Sequence, residues 1–71
     1  MSLELEAITA NNLTTEIQRK APGYVVKWNP SIRAWEDEPY GMYEVWADGY
    51  CHYRRRTANG IRKLAGIAVN P

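Results

Sequence analysis

Phenylalanine is absent from these 71 residues, and cysteine occurs once, at Cys51. A lone cysteine excludes an intrachain disulfide framework and any zinc site built from several thiolates, and it points to a reducing compartment. No apolar run approaches the roughly 18 residues that a membrane span needs. Residues 1–10 have neither the basic start nor the continuous apolar stretch of a secretory signal. Glycine-rich phosphate loops, nucleophile elbows and metal-helix signatures are missing as well. These absences predict a soluble, cytoplasmic, monomeric protein with no enzyme activity, no cofactor, no metal and no membrane contact.

Acid is missing from one end of the chain. Residues 1–53 carry Arg19, Lys20, Lys27 and Arg33 against all eight acidic residues, whereas residues 54–71 carry five positive charges and no acid. The formal net charge of +1 hides this split. An acidic body with a basic tail suits a partner with a polarised surface, or an anionic polymer. Five Tyr and three Trp supply the aromatic mass; their polar tips suit half-buried sheets and contact surfaces. A chain this short buries only about 60% of its unfolded surface, so residues 1–71 read as one small domain with a thin core.

The strongest local signal is "MYEVWADGYCHYRRR". Asp48-Gly49 favours a type I′ turn, so Met42–Ala47 and Tyr50–Arg55 should pair antiparallel. A regular register sets Trp46 opposite Cys51, Glu44 opposite Tyr53 and Met42 opposite Arg55, which makes Arg55 the expected ion partner of Glu44. "YVVKW", residues 24–28, is a third strand. Trp28 and Trp46 then fall in the core. "SLELEAI" alternates apolar and acidic residues and reads as a short strand or a flexible arm spanning residues 1–10. "NNLTTEIQRKAPG" reads as a brief helix capped by Asn11 or Asn12, with Leu13 and Ile17 on one face and Pro22-Gly23 as its stop.

The tail admits two forms. Asn59-Gly60 is a second hairpin signal, but the resulting strand would set Arg56 opposite Lys63. A short helix capped by Thr57 or Asn59 avoids that repulsion and puts Ile61, Leu64, Ala65 and Ala68 on one face, with Gly66 as its stop. The helix is preferred. The expectation is an α+β fold: a small three-stranded antiparallel sheet with one or two short helices.

Arg54, Arg55, Arg56, Arg62 and Lys63 form the main candidate site, for a nucleic acid or an acidic surface. Guanidinium forks suit phosphate and carboxylate alike, and Tyr50 and Tyr53 suit stacking on unpaired bases. The plainer alternative is a solvated sheet edge kept from self-pairing by its charge. Trp35 sits in the long segment "NPSIRAWEDEPYG", and loop aromatics of this kind are frequent interface anchors; the equal alternative is a loop packed over one sheet face, which a domain this thin can need. Tyr24, Tyr43 and Tyr50 join it as protein-contact candidates. Glu36, Asp37 and Glu38 read as a solvated acidic loop, since consecutive carboxylates do not converge on a metal unaided. Cys51 and His52 are neighbours on a strand and face opposite ways, so they make no nucleophile–base pair.

"YVVKW", the Trp-bearing loop, the hairpin and the basic "TANGIRKL" together resemble the small regulators with which phages seize host transcription, in particular the RNA-polymerase-binding type of Xanthomonas phage. That resemblance implies binding to the polymerase largest subunit, inhibition of initiation by weakened sigma contacts, and antitermination beside the nascent RNA. "DGYCHYRR" is also similar to a strand of the arm-type DNA-binding domains of phage integrases. This second resemblance implies a sheet that binds DNA without a protein partner.

Overall fold

A computed structural model of the chain describes residues 2–67, with side chains from residue 5 onward. Asp48 (φ 57°) and Gly49 (φ 86°) take the two left-handed positions of a type I′ turn, whose twist matches the strands it joins. Around it the chain runs α1 (Ser2–Gln18), β1 (Val25–Asn29), β2 (Met42–Ala47), β3 (Tyr50–Arg55) and α2 (Ala58–Ala65). The strands form an antiparallel meander in the order β1-β2-β3. Both helices pack on one face of it, so the fold is α+β.

The start of the chain corrects one expectation. Residues 2–10 are neither strand nor arm; they form the first half of α1. Leu, Glu and Ala are strong helix formers, and the five alternating residues 3–7 are too few to outweigh them. Leu5 and Ile8 stay in solvent, 65% and 56% exposed. The buried stripe is Ala10, Leu13 and Ile17, so Asn11 and Asn12 lie inside the helix and cap nothing. Thr14 ties this helix to β1: its hydroxyl accepts from Val26 N at 2.8 Å and lies 3.1 Å from Val26 O. Lys20 and Ala21 both donate to Ile17 O at 2.9 Å, ending the helix before Pro22.

The hairpin has the expected ends and a different register. Pairing shifts between Val45 and Trp46, so Val45 faces Tyr53, Glu44 faces Arg54 and Tyr43 faces Arg55. His52 is the extra residue of this bulge, and its Nε2 lies 2.9 Å from Ala47 O. One inserted residue moves every later side chain to the other face. The partner of Glu44 is therefore Arg54 and not Arg55. Trp46 is corrected too: it stands half-buried on the face away from the helices, with the Lys27 ammonium 4.5 Å from its ring centre.

The tail is the helix α2. The Thr57 hydroxyl accepts from Gly60 N at 3.0 Å, a standard N-cap bond, and Gly66 closes the other end with its N–H turned back on the last carbonyls. Ile61 is fully buried, while Ala68 lies outside the described residues. The core joins Ala10, Leu13, Ile17, Val26, Tyr43, Val45 and Ile61, with Tyr24 and Trp28 packed against it.

Candidate interaction surface

The segment between β1 and β2, residues 30–41, has no helix or strand, yet it is closed at several points. Asn29 Oδ1 accepts from Ser31 N at 2.9 Å, which starts the turn. At its base Gly41 N donates to Ile32 O at 2.6 Å, and at its tip Glu38 N donates to Trp35 O at 3.1 Å. The Arg33 guanidinium sits 4.6 Å from the Tyr40 ring centre, and Arg56 pairs with Glu38. Gly41, at φ 123°, lies against the Trp28 ring, where a Cβ would come within 2.3 Å of two ring carbons. These ties hold Trp35 out at 70% exposure and Tyr40 at 60%. Glu36 and Asp37, beside Trp35, make no ion pair among the described residues.

The other aromatic candidates lie elsewhere. Tyr50 (57% exposed) stacks on His52 with ring centres 4.2 Å apart, and His52 lies 5.6 Å from the half-buried Tyr24. These three belong to the Asp48-Gly49 end of the sheet, roughly one strand length (about 17 Å) from the Trp35 end. Tyr43 is a core residue and not a contact residue. It is 7% exposed, its ring centre is 4.8 Å from that of Trp28, and burial pushes its phenol above the ordinary value.

The basic residues do not form one patch. Arg54 Nε donates to Glu44 Oε2 at 2.8 Å. Arg62 makes a two-pronged contact with Glu16, 3.2 Å from each carboxylate oxygen, and its Nη1 donates to Asn59 at 3.1 Å. With Arg56 held by Glu38, three of the five candidate cations are occupied by carboxylates distant in sequence. Arg55 donates to Arg54 O at 2.6 Å; it and the exposed Lys63 have no carboxylate partner among the described residues. Glu44 is the buried member of this network, 4% exposed. Burial raises its pKa, but hydrogen bonds from Arg54, Trp46 Nε1 (3.0 Å) and Asn29 (3.4 Å) outweigh that and hold it below the ordinary value.

Comparison with protein families, curated proteins and solved structures finds no match. The function has to rest on the surface itself. Among the described residues, no group of His, Cys, Asp or Glu is placed to hold a metal ion, and no helix is long and apolar enough to cross a membrane. A chemical element that sequence reasoning missed is the cleft between the end of α1, α2 and the sheet. It is lined by Tyr24, Tyr53, Lys20 and Leu64 over a floor of Ile17 and Ile61. Its only sequence signal was the pair of tyrosines, which are 29 residues apart in the chain and line one cleft only in the folded chain.

Proposed function

We propose that this chain is a non-enzymatic, protein-docking transcription regulator of the phage type, which binds the largest subunit of host RNA polymerase in the host cytoplasm. The observation that carries the reading is the braced loop with Trp35 at its tip. An exposed indole on a pre-ordered loop loses little conformational freedom on binding, the condition under which an aromatic becomes an interface anchor. Glu36 and Asp37 beside it favour a receiving pocket with a basic rim. The resemblance to the polymerase-binding regulators directs the choice of partner; inhibition of initiation and antitermination are the outcomes it implies.

The internal pairing of Arg54, Arg56 and Arg62 speaks against the integrase-like alternative. A sheet that grips duplex DNA alone needs its guanidinium groups free for phosphates, and here most of them already hold carboxylates. Affinity capture from a Xanthomonas host lysate, with and without nuclease, tests the reading. Retention of the polymerase largest subunit after nuclease treatment is expected. Loss of the polymerase on nuclease treatment, or its absence from both samples, overturns the reading.

A further inference from the structure

The cleft between α1, α2 and the sheet has a volume of about 260 Å³ and is lined by Tyr24, Tyr53 and Lys20 over the apolar floor of Ile17, Val45 and Ile61. That is below the roughly 300–1,000 Å³ of pockets for whole drug-sized ligands, and it suits one planar ring. Among the described residues no carboxylate lines it, and Lys20 is its one charged wall. The Lys20 ammonium is held at the mouth by donating to Gly66 O at 2.7 Å, which leaves two of its three N–H donors for a ligand. An anionic occupant is therefore matched in charge.

Aromatic rings continue out of the cleft along β3. Tyr53, 48% exposed, is 6.4 Å from His52, and His52 is stacked on Tyr50, itself 57% exposed. We infer that this cleft and its ring row bind single-stranded nucleic acid, with one base between Tyr24 and Tyr53, a neighbouring base on Tyr50, and the intervening phosphate at Lys20. Base-on-tyrosine stacking is tolerant of sequence, and a lysine supplies a point charge to phosphate. A peptide of acidic and apolar residues would satisfy Lys20 and the floor but would leave the ring row without a use. The inference does not rest on polymerase docking, since no residue lining the cleft belongs to the Trp35 loop.

Fluorescence anisotropy of the full chain with labelled oligouridylate and oligothymidylate tests it. The expected result is binding that weakens with salt, and that falls about five-fold or more in Tyr53→Leu and in Tyr50→Ala. Lys20→Gln should lower affinity and reduce the salt slope by about one. Tyr53→Leu keeps an apolar wall, and Tyr50 is mostly solvent-exposed, so circular dichroism should show both variants folded. A preference for oligouridylate would assign the site to RNA, a preference for oligothymidylate to single-stranded DNA, and equal binding to either strand; each supports the inference. It is overturned by no binding at low salt, by binding that all three variants retain, or by an acidic aromatic peptide that competes as well as the oligonucleotides. Trp35→Ala should leave oligonucleotide binding unchanged, so failure here is distinct from failure to bind polymerase.

Discussion

Replacing Gly41 by Ala should be among the costliest single-methyl changes in this molecule. Two costs combine. At φ 123° an L-residue sits in a region used almost only by glycine, a strain of about 1–3 kcal/mol. The new Cβ would also lie 2.3 Å from two carbons of the Trp28 ring. That ring cannot simply swing away, because its other contacts include Tyr43, 4.8 Å between centres; forcing a methyl into such packing costs about 1–3 kcal/mol more. Gly49→Ala is the internal control. It too has positive φ, 86°, but nothing lies within 4 Å of the added methyl. The loss of unfolded-chain freedom is the same in both variants and cancels between them. Gly41→Ala should therefore be less stable than Gly49→Ala by about 1–3 kcal/mol, measured by urea unfolding at matched m-values. In a domain of this length that corresponds to a melting-temperature gap of at least about 4 °C. Equal destabilisation of the two, or a milder effect at Gly41, would refute the packing of the loop base against Trp28.

Three further outcomes follow from the charge network. The folded pKa of Glu44 is lowered, so its carboxylate contributes stability above the ordinary value of about 4.3 and loses it as pH falls through the lower folded pKa. Glu44→Gln should thus melt below the parent protein at neutral pH, with the gap closing as pH drops below about 4; a gap constant with pH would contradict this. Arg62→Ala should cost about 1–3 kcal/mol of stability because it breaks the bond between α2 and α1, whereas Lys63→Ala, on the exposed side, should leave the melting temperature unchanged. Thermal unfolding followed by circular dichroism distinguishes them, and equal behaviour of the two variants would count against the Glu16 clamp.

The hairpin, the third strand and the capped tail helix were legible because each is written locally: in Asp48-Gly49, in the alternation of residues 24–28, and in Thr57 with Gly66. The bulge was not. Nothing in "GYCHYR" marks His52 as the unpaired residue, since the groups its ring meets, Tyr24 at 5.6 Å between centres and Ala47 O at 2.9 Å, come from outside β3. From that one shift followed the exchange of Arg54 for Arg55 as the partner of Glu44. The occupation of the basic residues was hidden for a similar reason. Arg56 and Glu38 are 18 positions apart, and Arg62 and Glu16 are 46 apart, so a charge count along the chain leaves unpaired what the fold pairs. Trp35 was open in the sequence between an interface anchor and a loop packed over the sheet, and its 70% exposure decides for the exposed loop.

The docking claim is tested most directly by the affinity of purified Xanthomonas RNA polymerase for the parent chain and for Trp35→Ala, measured side by side. Trp35 is mostly in solvent, so its removal should leave the melting temperature unchanged. Loss of an interface anchor should weaken binding by about 2 kcal/mol or more, roughly thirty-fold. Polymerase binding that persists at parental strength in a folded Trp35→Ala, or no binding by the parent chain, would contradict the account.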